Sequence, residues 1–277
     1  MQRNGGAGAA TLFLCGDVMT GRGIDQILPH PCDPVLYEPD LRSALGYVEL
    51  AEKAHGPIPR PASFSYVWGA ALDEWEKRRP AARIVNLETA VTTSATPWPK
   101  GINYRMNPDN LPCLQTAGID ACVPSNNHVL DWGFEGLRET LERLAQAGIR
   151  TAGAGLDLVA ARAPAELPLP GGGRVLLFAA ATPDSGVPDD WAAGAARMGV
   201  HRLRELSADA LRGIVERVHA HKRPGDLVVC SIHWGGNWGY KIPSTQRAFA
   251  HGLIEQGGVD LVHGHSSHHF KAIEVCQ

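Results

Sequence analysis

Residues 259–269, VDLVHGHSSHH, combine a short apolar run with a cluster of histidines. Four of the twelve histidines of the chain fall within the last seven of these positions. Gly264 suits a turn directly after a strand that ends at His263. His265 and His268 would then point toward one place beyond the sheet edge, because alternate residues of a strand face opposite ways. This pattern is typical of a metal or phosphate site, and a solvated histidine-rich turn is the alternative.

The length and composition of the chain favour a single large α/β domain. The 277 residues include 44% hydrophobic residues, which is enough for a substantial core. We predict a disordered tail over residues 1–10 and one domain over residues 11–277. With 26 basic and 29 acidic residues and a net charge of −3, the chain lacks the basic surface that binds nucleic acid or anionic membranes.

The cysteines and the N-terminal residues indicate a cytoplasmic protein. The six cysteines show no C-x-x-C spacing, and Cys15, Cys122 and Cys230 lie within apolar runs. Such cysteines are typical of buried thiols in a reducing compartment. The first apolar run, residues 9–15, is too short for a secretory signal or a membrane span. We therefore predict a cytoplasmic location and no membrane segment.

Predicted helices and strands alternate along the chain, which favours parallel pairing of the strands. Apolar runs predict strands over residues 11–15, 83–87, 119–123, 174–181, 226–232, 259–263 and 270–275, and residues 151–155 predict a tight strand and turn. Helical spacing predicts helices over 66–79, just before Gly118, through Leu137 to Gly148, from Ser207 to Pro224, and over 245–256. The proline-rich residues 24–60 predict a long irregular excursion.

Five of the predicted strands end in side chains that can bind a metal ion. These side chains are Asp17, Glu88, Asn127 with His128, His233, and His265 with His268. Open α/β folds place their ligands at the carboxyl ends of parallel strands. Ordinary turn chemistry would favour glycine, proline and serine instead, so the repeated oxygen and nitrogen donors predict a metal site.

These motifs in series resemble the CapA family of poly-γ-glutamate capsule biosynthesis proteins, a branch of the calcineurin-like metallophosphoesterases. The motifs are GD, NLE, NNH with Asp131 three residues after its histidine, HWG, and GH-x-x-H. The resemblance covers residues 12–274. It implies an α+β fold, namely a four-layer α/β/β/α metallophosphoesterase-like sandwich with mixed, largely parallel sheets. It also implies a dinuclear metal centre at the strand ends.

The resemblance implies metal ligands that are shared between two ions. Those of the first ion are Asp17 and His268, with Glu88 as the bridge between the ions. Those of the second ion are Asn127, His233 and His265. Manganese, zinc and iron all suit nitrogen and oxygen ligands, so one or two ions of any of these metals fit. Met19 stands where the broader phosphoesterase pattern has a histidine, which weakens the first position.

The resemblance also implies catalytic roles beside the metal ligands. His128 matches the histidine that stabilises or protonates the reacting group, and Asp131 would orient it. Arg105 is a candidate for a bidentate contact with a phosphate or carboxylate, and a surface arginine is the alternative. Trp234 is a candidate wall of a substrate pocket, and simple packing of its loop is the alternative.

The predicted function is metal-dependent hydrolysis of a phosphoester by a metal-bound hydroxide, linked to poly-γ-glutamate or capsule polymer metabolism. Two alternatives remain open: a non-hydrolytic accessory protein that binds an anionic polymer, and a metal-dependent γ-glutamyl amide hydrolase. In every case the partner is an anionic small molecule or polymer. CapA-like proteins continue past the final histidine motif and several are membrane-anchored, so we expect this chain to be a fragment or a soluble variant.

Overall fold

A computed structural model of the protein describes residues 10–276, and these residues form a mixed α/β fold with largely parallel sheets. The predicted tail over residues 1–10 lies almost wholly outside the described part of the chain. The strands in chain order are β1 (Leu12–Val18), β2 (Ala82–Leu87), β3 (Ala90–Val91), β4 (Arg105–Met106), β5 (Ala121–Val123), β6 (Arg150–Thr151), β7 (Ala154–Gly155), β8 (Ala165–Pro168), β9 (Arg174–Ala181), β10 (Gly199–Val200), β11 (Leu227–His233) and β12 (Leu261–His265).

Eight α-helices connect these strands within residues 10–276. They are α1 (Arg22–Ile27), α2 (Leu45–His55), α3 (Ala71–Arg78), α4 (Pro112–Thr116), α5 (Gly133–Gln146), α6 (Leu158–Arg162), α7 (Ala208–His221) and α8 (Ser244–Gly257). Local chemistry sets their ends. The Ser207 hydroxyl accepts a hydrogen bond from the Ala210 amide at the start of α7, and Gly258, with φ of 63°, ends α8. None of the described helices is both long and apolar enough to cross a bilayer.

Two main sheets organise the molecule. The first has the order β1-β2-β5-β6 and is parallel throughout. The second has the order β12-β11-β9-β8, in which β8 alone is antiparallel to its neighbour. Because β1 and β2 lie side by side and β11 and β12 also do, the polar residues at their carboxyl ends come in adjacent pairs. The predicted parallel pairing is confirmed.

Adjacent residues of one strand belong to different hydrophobic clusters. Ile84 of β2 packs in a cluster that also contains Leu177 of β9, so this cluster draws on both main sheets. Val85 packs instead with Trp75 of α3 and other helical residues. Phe178 packs with residues of α7 and α8. Burial on both faces explains why these strands are almost continuously apolar in sequence.

Several predictions of secondary structure are wrong. Residues 24–60 contain α1 residues and all of α2, because their prolines cluster between and after these helices rather than within them. The helix predicted over residues 66–79 is interrupted at Gly69, whose φ of 49° separates a 3-10 turn from α3. Residues 270–275 form no strand, since none of the described strands pairs with them.

The cysteines follow the prediction in part. All six are free thiols. Cys122 and Cys230 are buried, as their apolar runs predicted, whereas Cys15 is only half-buried. The strand over residues 174–181 is confirmed as predicted, while β8 was missed because its alternating Ala-Glu-Leu-Pro sequence is short and ends in a proline.

Candidate metal centre

A compact group of three ligand-type side chains lies at the carboxyl ends of β1, β11 and β12. One ligand atom from each of Asp17, His233 and His265 lies within 4.8 Å of the other two. His233 Nδ1 and His265 Nδ1 are 2.9 Å apart, and they lie 3.6 and 3.8 Å from Asp17 Oδ1. His233 and His265 are register partners across β11 and β12, so the sheet itself holds them side by side.

The turn predicted at Gly264 is wrong, and the strand continues to His265. Gly264 pairs with Ile232 inside the sheet, and a Cβ atom there would lie 2.6 Å from the Trp234 indole nitrogen. Glycine is therefore needed for close packing rather than for a turn. The turn falls at Ser266, with φ of 102°, and its backbone N–H donates to the Asp17 carboxylate at 3.2 Å.

Asp17 is aimed at the histidines by an irregularity in β1. The register with β2 shifts between Cys15 and Asp17, which displaces Gly16 from the regular ladder. The Asn86 side chain of β2 donates to Asp17 Oδ1 at 2.7 Å. Burial raises the pKa of Asp17 above its ordinary value despite these donors. Sequence reasoning missed Asn86, although it lies inside the NLE motif.

Glu88, directly after β2, lies between two histidines. Its Oε1 atom is 4.0 Å from His233 Nε2 and 3.8 Å from His128 Nε2. Burial, with the nearby charge of Asp17, raises the pKa of Glu88 to about 8. Asn127 Oδ1 lies 3.1 Å from His233 Nε2, so Asn127 joins the same edge of the group.

Burial favours the neutral form of the imidazoles in this group. Burial lowers the pKa of His233 to about 3 and lowers that of His265 well below its ordinary value. His265 Nε2 lies 3.0 Å from the Ser231 hydroxyl, while its Nδ1 lies 2.9 Å from His233 Nδ1 and 3.8 Å from Asp17 Oδ1. Neutral imidazole nitrogens carry the lone pairs that a transition metal requires.

His128 forms a separate acid–base network beside this group. Its Nδ1 atom lies 2.6 Å from Asp131 Oδ2, and Lys100 Nζ lies 2.7 Å from Asp131 Oδ1. Asp131 is fully buried, and burial lowers the pKa of His128. Sequence reasoning missed Lys100, which also donates to the Asn127 carbonyl, because nothing local to its connector indicates that contact.

Comparison with known proteins identifies the family. Residues 11–277 match the family described as bacterial capsule synthesis protein PGA_cap. The chain belongs to this family. The resemblance to CapA proteins that the motifs indicated is thereby confirmed.

Named relatives of the chain come from several bacteria. It is 45% identical over 273 residues to a probable polyglutamine synthesis accessory protein of Mycobacterium tuberculosis, covering 98% of this chain and 72% of that protein. It is 27% identical over 176 residues to the PGA biosynthesis protein CapA of Bacillus subtilis, covering 64% and 44% of the two chains. It is 25% identical over 267 residues to the capsule biosynthesis protein CapA of Bacillus anthracis, covering 96% and 56%.

Three residues predicted for the site lie at its periphery or away from its ligand atoms. His268 is exposed, its backbone N–H donates to the Asn237 carbonyl, and it is not a member of the compact group. The Arg105 guanidinium lies 3.9 Å from the Trp132 ring and donates to the Ser94 carbonyl. The roles of His268 and Arg105 stay predictions.

Trp234, the third of these residues, packs into the core of the second sheet. Its ring centroid lies 6.5 Å from that of Phe249, and it belongs to the cluster formed with α8. Its backbone N–H donates to the His265 carbonyl. Trp234 therefore links β12 to the hydrophobic cluster that includes α8. Its role in a substrate pocket stays a prediction.

The donor set fits a divalent transition metal. Nitrogen atoms of two neutral histidines lie within 4 Å of a carboxylate whose hydrogen-bond donors, Asn86 and the Ser266 amide, are uncharged. Glu88 adds a second buried carboxylate close by. Burying such charges is unfavourable unless a cation compensates them, and nitrogen with carboxylate oxygen is the ligand chemistry of manganese, zinc and iron.

Proposed function

We propose that this family member is a metal-dependent hydrolase that acts on a phosphoester in poly-γ-glutamate or capsule polymer metabolism. The observation that carries the proposal is the pairing of a compact ligand group, Asp17, His233 and His265, with a separate His128–Asp131 pair. A site that only bound a metal or an anion would not need a carboxylate-oriented histidine beside it. Such a histidine is typical of proton transfer.

The ligand group would hold the metal. Asp17, His233 and His265 supply the closest donor atoms, with Asn127 and Glu88 next to them. A divalent transition metal, when bound, acts as a Lewis acid and offsets the charge that develops on a phosphoryl group. We propose that the centre binds one or two such metal ions.

His128 would move the proton. Its Nδ1 is committed to Asp131 at 2.6 Å, which fixes one nitrogen of the ring. Its Nε2 faces the centre near Glu88 at 3.8 Å, so Nε2 is the atom available to a substrate oxygen. Lys100 compensates the buried charge of Asp131. A positioned acid or base of this kind contributes about 10²- to 10⁴-fold to a rate.

A second candidate function is non-hydrolytic binding of an anionic polymer during its synthesis. The mycobacterial relative, at 45% identity, is named as an accessory protein of polyglutamine synthesis. In that case a metal ion held by the ligand group would bind carboxylates of the polymer. The His128–Asp131 pair would then be a structural hydrogen bond. The two functions differ in the role of His128, which transfers a proton in the hydrolase and only forms a structural hydrogen bond in the binding protein.

The deciding experiment combines metal analysis with a substrate screen. Purified protein would be loaded with manganese, zinc or iron and tested on phosphomonoesters, phosphodiesters and γ-glutamyl peptides, with binding of poly-γ-glutamate measured in parallel. We expect turnover of a phosphoester that disappears on chelation. Turnover of γ-glutamyl peptides alone would favour the amide hydrolase, and polymer binding without turnover would favour the accessory function. Absence of metal binding would exclude the hydrolase proposed here.

We also propose the four-layer α/β/β/α arrangement and the cytoplasmic location that the sequence predicted. The cluster containing Ile84 and Leu177 supports contact between the two sheets, and the clusters with α3 and with α7 and α8 support helices on the outer faces. The six free thiols are consistent with a reducing compartment. Fractionation of cells that express the natural protein would test the location.

A further inference from the structure

The connector between β3 and β4, residues 92–104, contacts both the face of the His128 ring and its Nδ1 edge. The Tyr104 ring stacks on the imidazole, with centroids 3.8 Å apart and planes inclined by 17°. Lys100, from the same connector, lies 2.7 Å from Asp131 Oδ1 and 3.4 Å from His128 Nδ1. The Tyr104 backbone N–H also donates to Asp131 Oδ2 at 2.6 Å.

This connector is itself fixed to the segment that carries His128. The Asp131 carbonyl accepts hydrogen bonds from the Trp98 backbone N–H at 2.7 Å and from the Asn103 side chain at 3.0 Å. The Trp132 indole donates to the Tyr104 carbonyl at 3.0 Å. The Tyr104 backbone is thus hydrogen-bonded through both its N–H and its carbonyl. These bonds fix the position of the ring against His128.

A cation also packs against the Tyr104 ring. The Arg22 guanidinium lies 4.6 Å from the centroid of Tyr104 and 4.7 Å from that of Tyr47. Arg22 is held by Glu38 at 2.6 Å. A guanidinium over an aromatic ring stabilises the position of that ring. The stack that ends on His128 therefore begins at a largely buried ion pair.

We propose that Tyr104 is a positioning residue that sets the plane of the His128 imidazole. The hydrogen bond between Nδ1 and Asp131 restrains the ring but tolerates a range of χ1 and χ2 angles, and a ring stacked on the face of the imidazole narrows that range. Catalytic groups must be held within about 10–20° of the productive orientation. The inference rests on the proposed hydrolytic function for its kinetic consequence.

The kinetic test separates the ring of Tyr104 from its hydroxyl. Tyr104→Phe and Tyr104→Trp keep a planar ring and should retain kcat close to that of the parent. Tyr104→Leu removes the ring, and kcat should fall by about 10- to 100-fold with KM and metal content unchanged, because misplacement of a reacting group costs up to about 10²-fold. Tyr66→Leu, at an exposed tyrosine outside this stack, is the matched control and should leave kcat unchanged.

A second readout does not depend on turnover. In the metal-free protein the stacked Tyr104 ring should shift the carbon-bound ring protons of His128 upfield, with the signals assigned by comparison with His128→Ala. The shift should persist in Tyr104→Phe and vanish in Tyr104→Leu, while thermal unfolding checks that each variant is folded. Equal shifts in the Phe and Leu variants would overturn the inference, as would equal kcat. Absence of turnover in the parent would refute the hydrolase and leave this NMR test standing.

Discussion

The two halves of the candidate centre balance their charges differently. In the ligand half, the donors to Asp17 are the uncharged Asn86 side chain and the Ser266 amide, and its histidine neighbours are neutral. In the acid–base half, Asp131 lies between His128 and the ammonium of Lys100. The ligand half is therefore the part that the proposed metal ion would compensate, whereas the buried carboxylate of the acid–base half already has a cationic partner within the chain. Metal and proton chemistry should accordingly be separable by mutation.

The largest effect is expected from His233→Ala, which removes an imidazole whose Nδ1 faces Asp17 and whose Nε2 faces Asn127. Metal affinity should fall by more than about 100-fold, because even a partner outside the ligand shell is worth about 10- to 100-fold. Calorimetric titration with manganese or zinc measures this loss. The exposed His219 provides the control, since His219→Ala should bind metal like the parent. Unchanged affinity in His233→Ala would refute the assigned ligand group.

His128→Ala tests the other half and should produce the opposite result. Metal content should stay near that of the parent, because His128 lies outside the compact ligand group. Turnover of the identified phosphoester should fall by about 10²- to 10⁴-fold. Metal analysis and initial rates on the same preparation measure both quantities. Parent-like turnover in this variant would mean that His128 has no catalytic role.

Glu88 stands between the halves and should give the metal-free protein a distinctive pH dependence. Burial raises its pKa to about 8, so the folded protein keeps a proton that the unfolded chain releases near the ordinary value of 4.5. The free energy of unfolding should therefore fall as pH rises between these two values. Glu88→Gln cannot lose that proton, so its stability should fall less.

Chemical unfolding of both forms at several pH values from 6.5 to 8 is the measurement, since the ordinary histidine pKa of 6.5 limits the contribution of buried histidines above that point. The difference between parent and Glu88→Gln cancels what the remaining groups contribute. Saturating metal should abolish the difference in slope, because a cation beside Glu88 favours its ionised form. Identical slopes without metal would contradict the raised pKa.

The smallest effect is expected from His268→Ala. His268 is exposed and lies outside the compact group, so metal affinity should fall by less than about 10-fold, below the range typical of well-placed outer partners. The same calorimetric titration measures it. A loss as large as that of His233→Ala would show that His268 is a full ligand of a first metal position, as the family resemblance implied.

The residues of the ligand half were predictable because strand ends are local features of the sequence. An apolar run followed by Asp17 or His233 places the polar side chain at a sheet edge whatever the rest of the chain does. The family resemblance was equally accessible from the motifs in series. The exact geometry of the ligand residues was harder to predict. The sequence did not show that Gly264 lies inside β12, because the close contact with Trp234 arises only after folding.

The supporting residues of the acid–base half were not predictable in the same way. Lys100 and Tyr104 follow a proline-rich connector without periodicity, and their contacts with Asp131 and His128 span 24 or more residues of sequence. Helices α1 and α2 were not predicted for a related reason, because the clustered prolines of residues 24–60 indicated irregular structure. Tertiary contacts decided both cases.

The two main sheets use successive parts of the chain, and this has a consequence for assembly on the ribosome. The first sheet is complete by Thr151, whereas His233 and His265 end the last two strands of the second sheet. A nascent chain that has folded its first sheet carries Asp17 and Glu88 but no histidine of the ligand group. Because chains fold from the N-terminal side during synthesis, capture of the proposed metal would report that β12 has been added.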